Sequence, residues 1–194
     1  EAEGTTTEKL TEMKVKDTSP YNAVYGYNLL TPSTSVSSMT LKELFTFQKQ
    51  LINITKGTIS GKTSTNKGTS AVGKYQILQS TLFGQNGTAE NPGTNSWADK
   101  LNLEAGDTFS PAVQEKIARL ALKESGYNNY LGGKKSQAKF LEGIAIRWAS
   151  VADLSGTNPS GQPTATSAQS LMPLIDNVKN NGQTIKVNDL MIRK

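Results

Sequence analysis

Apolar side chains recur at helical spacing in several stretches of this chain, separated by polar segments rich in Gly, Ser and Thr. Leu41, Leu44, Phe45, Gln48, Leu51 and Ile52 follow one face of a helix that opens at Thr40. Thr40-Leu41-Lys42-Glu43 reads as a capping box, in which the Thr hydroxyl and the Glu carboxylate each satisfy a backbone N–H left unpaired by the first turn. Met39 and Leu44 take the staple positions, and Lys56-Gly57 supplies the stop. The box gives Glu43 a structural task. A second strong helix opens at Ser110-Pro111, carries Val113, Ile117, Leu120 and Ala121, and meets Gly126 just past its end. Phe140, Ile144, Trp148 and Val151 define a third, widened by Leu141 and Ala145. Shorter helices are expected through 79–83, which follows the tract 71–78, at 97–103, and over 167–180, where Pro173 interrupts. Weak alternation suggests strands near 13–16 and 183–192, and the segments 31–38, 58–70, 84–95 and 155–166 read as loops. The pattern predicts an α+β fold, predominantly α, with a small β element in the N-terminal half and one domain spanning 1–194.

Composition narrows the chemistry. Of the 194 residues none is Cys or His, which removes thiol nucleophiles, Ser-His-Asp triads, thiolate or imidazole metal sites and any imidazole base. Proton transfer must fall to carboxylates, Lys or Tyr. No apolar run approaches the roughly 20 residues of a membrane span, and no signal-peptide pattern opens the chain. The net charge of +5 is local: Lys42, Lys49, Lys56, Lys62, Lys67 and Lys74 face Glu43 alone between Thr40 and Tyr75. Such a segment suits an anionic polymer such as a bacterial cell wall, an anionic membrane or nucleic acid, or it is simply a solvated surface. The scarcity of Arg and of interleaved aromatics there weighs against nucleic acid, and neither a nucleic-acid partner nor membrane insertion is expected.

Five short motifs occur in order: Glu3-Gly4-Thr5; Tyr21-Asn22 with Tyr25-Gly26; Ser70-Ala71-Val72-Gly73-Lys74-Tyr75-Gln76-Ile77-Leu78; Phe109-Ser110-Pro111 with Gln114; and Trp148-Ala149-Ser150. The set resembles the phage lambda lysozyme family, whose members carry Ser-Glu-Gly-Thr, Gly-Arg-Tyr-Gln-Leu-Leu, Phe-Ser-Pro and Trp-Ala-Ser segments in the same sequence. The likeness runs from Glu3 to about residue 180. Lys74 stands where the family usually has Arg, and the loops before Gly73 and after Val151 are longer here.

The resemblance implies a lysozyme-like fold with two lobes around a glycan groove. It further implies cleavage of the bond between N-acetylmuramic acid and N-acetylglucosamine in peptidoglycan, by lytic transglycosylation with a 1,6-anhydromuramic product. The general acid then falls on Glu3, and catalysis of this kind needs no metal or cofactor. A carboxylic acid can protonate a leaving oxygen only if an apolar setting raises its pKa. Hydrolysis ordinarily needs a second carboxylate about 5 to 9.5 Å away, whereas a substrate that supplies its own nucleophile does not. Glu8, Glu12 and Asp17 are the nearest in the chain and lie in no motif, which favours transglycosylation over hydrolysis. Without the other four motifs in register, an acid in this place is ordinarily a solvated side chain near a terminus. The family's glutamate ends a helix, so an upstream helix is expected before Glu1, from the same precursor or a larger virion protein.

Tyr75 and Gln76 are expected to line the groove, the alternative being a packed ring and a capping amide. Gly73 either lets backbone approach the sugar or forms an ordinary turn. Trp148 either stacks on sugar or fills the core, and Ser150 bonds either substrate or its own helix. Tyr21, Asn22 and Tyr25 are expected at the cleft lip. The implied setting is a phage virion or tail acting on the host cell wall, with glycan strands as the partner and other virion parts as possible neighbours. A catalytically inactive wall-binding module, and a structural virion or basic nucleic-acid-binding domain, are the readings from other classes.

Overall fold

The computed structural model describes residues 19–24, 30–56, 68–148, 154–156 and Pro173. Among them the chain is mostly helical and almost free of strands. The helices are α1 (Leu41–Thr55), α2 (Gln79–Phe83), α3 (Trp97–Lys100), α4 (Pro111–Glu124), α5 (Tyr127–Leu131) and α6 (Gln137–Arg147), with 3₁₀ turns at Pro20–Asn22 and Val36–Ser38. The expected β element is reduced, among the described residues, to isolated bridges: Val24 with Val72, Val72 with Ile77, and Thr40 with Thr108. The expected strands at 13–16 and 183–192 lie outside the described residues, as does the helix at 167–180 apart from Pro173, which is helical and exposed. No described helix is long and apolar enough to cross a membrane.

The chain separates into two compact units, with the boundary between Ile117 and Ala118 inside α4. In the first, α1 forms as its pattern predicts. Thr40 Oγ1 accepts from the Glu43 N–H at 3.2 Å and the Glu43 carboxylate accepts from the Thr40 N–H at 2.8 Å, completing the capping box. Those bonds hold the exposed Glu43 carboxyl below its ordinary pKa. Leu41, Leu44, Phe47 and Leu51 are buried, while Phe45 is half-buried and packs edge-on against Phe83, their centroids 5.3 Å apart. The backbone from Ala105 to Phe109 docks on the start of α1, through Leu41 N to Asp107 O at 2.8 Å and Phe109 N to Met39 O at 2.8 Å. At the far end Thr55 Oγ1 donates to Leu51 O and accepts from Thr69 N at 2.8 Å, tying the helix to the tract that follows.

The expected helix at 97–103 is shorter, ending at Lys100. Asn102 takes a left-handed backbone (φ 50°), and Leu103 N reaches back to Ala98 O at 2.9 Å to close the turn. Asn tolerates that conformation better than other non-Gly residues, so the stop is local.

In the second unit Tyr130 and Phe140 stack at 5.2 Å, joining α5 to α6 over buried Leu141, Ile144 and Ala145. Ser125 ends α4 with its hydroxyl donating to Ala121 O and Gly143 O, and Lys135 Nζ caps the Ser125 carbonyl at 2.7 Å. The third expected helix begins earlier and ends earlier than its apolar stripe suggests. Ser136 caps it through the Lys139 N–H, and it stops at Arg147, so Trp148 lies outside it with extended backbone (φ −124°). Trp148 is nonetheless buried.

Burying the Leu and Phe side chains of α1 is worth about 1.5–3 kcal/mol each, well above the roughly 1 kcal/mol of a cap. Packing therefore holds α1 in place, and Thr40→Ala should lower stability by about 1 kcal/mol without unfolding the protein. Urea unfolding followed by far-UV circular dichroism checks this; an unchanged midpoint would show that the box contributes nothing.

Candidate functional site

The tract from Ser70 to Ile77 is a tight loop closed by one pair of residues. Val72 N donates to Ile77 O at 3.3 Å and Ile77 N to Val72 O at 2.8 Å, leaving Gly73, Lys74, Tyr75 and Gln76 as the loop. Both stems are gripped from α1, where the buried Gln48 amide donates to Ser70 O at 2.8 Å and Ile77 O at 3.0 Å. Ser70 Oγ accepts from Gln79 N at 2.9 Å, so the loop's first residue caps the start of α2.

The other grip comes from the first turns of α4. Gln114, fully buried, accepts from Lys74 N at 3.0 Å and donates to Tyr21 O at 3.0 Å and Phe109 O at 3.1 Å. A single side-chain amide thus joins three stretches of backbone. Gly73 makes room for it. Its φ of +75° disfavours an L side chain, and a Cβ there would collide with Gln114 Oε1. The close approach for which Gly73 was a candidate is therefore made by the protein's own glutamine, with Gly73 N bonded to Ala23 O at 2.7 Å.

Next to Gln114, Glu115 collects the side chains. Its Oε1 accepts from Tyr75 Oη at 2.6 Å, Tyr21 Oη at 2.7 Å and Lys74 Nζ at 3.2 Å. The Lys74 ammonium also lies 4.9 Å from the Tyr21 ring centre and 5.2 Å from that of Tyr75, a cation–π arrangement. The pair is well sheltered, with side-chain exposures of 10% for Lys74 and 23% for Glu115. Partial burial works to raise the Glu115 pKa, but hydrogen bonds from Tyr75, Tyr21 and Lys74, with the Lys74 charge, outweigh it and hold the carboxyl below its ordinary value. Glu115 is thus an ionised acceptor, the reverse of what a general acid requires. The Tyr21 phenol is pushed up to about 12 by burial, then by its bond to Glu115 and by the charge there.

The other candidates fall in different places. Tyr75 is 3% exposed; with Lys74 by its ring and its hydroxyl donating to Glu115, it is a packed tyrosine and offers no open ring face. Gln76 takes a left-handed backbone (φ 49°) and its amide donates to Gly73 O at 2.8 Å. Among the described residues nothing bonds its Oε1. Asn22 is buried, its Oδ1 accepting from Ser37 N at 2.7 Å, so it staples two 3₁₀ turns together and is no cleft-lip residue. Tyr21 remains half-buried. Trp148 belongs to the other unit, where its burial agrees with a core role. Glu3, Tyr25 and Ser150 lie outside the described residues, as do Lys62 and Lys67. No described group of acidic side chains could hold a metal ion. Glu115 belongs to none of the sequence motifs. It sits one residue past Gln114 of the Phe-Ser-Pro motif, and that adjacency was the available signal.

Comparison of the chain with protein-family models, with characterised proteins and with solved structures returned no match.

Gly73→Ala should combine left-handed strain with disruption of the Gln114 bonds and cost at least about 2 kcal/mol in urea unfolding; a loss under half of that would mean the loop is not held as described. A second expectation concerns Tyr21. A phenol whose folded pKa is raised stabilises the fold fully below pH 10 and loses that contribution as pH rises from 10 to about 12. At pH 11, ultraviolet absorbance of the native protein should show fewer ionised phenols than the denatured chain, and Tyr21→Phe should narrow the gap by about 0.8 of a phenol.

Proposed function

We propose that this protein degrades peptidoglycan, cleaving the β-1,4 bond between N-acetylmuramic acid and N-acetylglucosamine as a lytic transglycosylase. The observation that carries the reading is the convergence of three motifs far apart in sequence. The Tyr21-Asn22 segment, the Gly73-Lys74-Tyr75-Gln76 loop and the Phe-Ser-Pro segment meet at Gln114 and Glu115. Motifs matched by chance have no reason to meet, whereas the parts of one site do. The resemblance to the phage lambda lysozyme family, stated on those motifs, is what gives the convergence its chemistry.

On this reading the chain adopts a lysozyme-like arrangement of two lobes around a glycan groove, and Glu3 is the catalytic acid. Glu3 gives its proton to the glycosidic oxygen as the bond from muramic C1 to that oxygen breaks. The muramic C6 hydroxyl then attacks C1, and the Glu3 carboxylate takes the hydroxyl proton, which restores the acid and leaves the 1,6-anhydro ring. No water is consumed and no second carboxylate is needed. Glu115, the acid that the fold brings to the motifs, is committed to three donors on one oxygen, which fits a reaction that does not call on it for proton transfer. Gln76, with its amide plane set by Gly73 O and its Oε1 unbonded among the described residues, is suited to a sugar hydroxyl or acetamido N–H. The natural setting proposed is a phage virion or tail at the host cell wall, with the lysines of 40–75 drawing the protein to anionic murein.

Incubation with purified sacculi and mass analysis of the soluble muropeptides tests the reading. Wild type should release fragments with anhydro ends, and Glu3→Gln should cut the rate by about 10²–10⁴-fold while staying folded. Reducing ends would replace transglycosylation by hydrolysis, and an absence of release by wild type would overturn the reading as a whole.

A further inference from the structure

The geometry points to Glu115 as a positioning residue for this reaction: its carboxylate fixes the Tyr21 segment and the 73–76 loop in the arrangement the glycan meets, without touching the reacting atoms. The inference rests on the proposed murein cleavage and goes beyond it, because the motifs assign Glu115 nothing.

Three features argue for it. First, the donors on Glu115 Oε1 come from two distant places in the chain, Tyr21 from one and Lys74 and Tyr75 from the other, 94, 41 and 40 residues away. Gln114 already secures the backbone of the same two places. Glu115 therefore adds control of side-chain direction, which chain stability alone does not require. Second, the node is ionic where an apolar contact could fill the space. A charged acceptor binds hydrogen-bond donors more strongly and more directionally than a neutral one. Third, the loop ends on Gln76, which is held in a left-handed conformation that non-Gly residues rarely keep without a surrounding structure that enforces it. Lys74 and Tyr75 directly precede it, so a shift of their side chains is passed to the Gln76 amide through two peptide units.

Removing the charge while keeping the shape isolates this role. In Glu115→Gln the amide oxygen still accepts, but more weakly, and the loop is free to move by fractions of an ångström. Small misplacements of this sort lower turnover more than affinity. The experiment uses the whole chain on purified sacculi and compares wild type, Glu115→Gln and Thr40→Ala, the last a destabilised control whose change lies at the α1 cap.

The expected result is a fall of about tenfold or more in kcat for Glu115→Gln, a smaller change in KM, and near wild-type kcat for Thr40→Ala at matched folded fraction. Independently of activity, the late-ionising phenol of Tyr21 should titrate earlier in Glu115→Gln. Should that variant fail to fold, Tyr75→Phe removes one of the same bonds from the other side and should lower kcat in the same direction. If kcat of Glu115→Gln lies within about twofold of the Thr40→Ala control, or if the Tyr21 titration does not move, the positioning role is overturned while the murein reading stands. If wild type releases nothing from sacculi, both fall together.

Discussion

The first unit depends on two neighbouring side chains near the start of α4. Gln114 and Glu115 do complementary jobs, one on backbone and one on side chains. The Gln114 amide is out of water, so each of its polar atoms would cost about 1–3 kcal/mol if left unpaired. It avoids that cost by bonding Lys74 N, Tyr21 O and Phe109 O, groups that otherwise would also be stranded. The constraint works in both directions: the amide needs those partners, and the turn around Gly73 needs the amide. This explains why glycine stands at 73, where the space a Cβ would take is already occupied.

Glu115 brings the same logic to charge. An unpaired lysine as sheltered as Lys74 would be unfavourable, and so would an unpaired carboxylate. Together, with two phenols donating to the same oxygen and aromatic rings beside the ammonium, they form a node in which every charged group has a partner. A lysine suffices because its compact charge has to meet one carboxylate oxygen and two ring faces, and it does not have to span both oxygens of a carboxylate as a guanidinium can. The node also changes what Tyr75 can be. Its ring and hydroxyl are committed inside the protein, so whatever the loop presents outward must come from Gln76.

The capping box at Thr40, proline at the start of α4, glycine at 126 and the spacing of Leu41, Leu44 and Leu51 were all readable, because each depends on neighbours within a turn or two. Where a boundary depends on more than the apolar stripe, the stripe does not locate it. The helix at Trp97 stopped early at an Asn in left-handed conformation, and α6 ended before Trp148 although the stripe continued. The same holds for the site. Tyr21, Gly73, Tyr75 and Gln76 were picked out by motif and do come together, but Asn22 turned out to be a buried staple. Glu115 is not legible in the sequence, because one more charged residue on a helix carries no periodic signal.

The sequence by itself thus determined the predominantly helical character, the main helix starts and the exclusion of thiol and imidazole chemistry, since local capping, spacing and composition suffice for those. The tertiary structure alone decided which acid is ionised and held, which phenol resists ionisation and which amide points inward. Those properties depend on desolvation and on partners 40 to 94 residues away in the chain, brought within hydrogen-bond distance by packing.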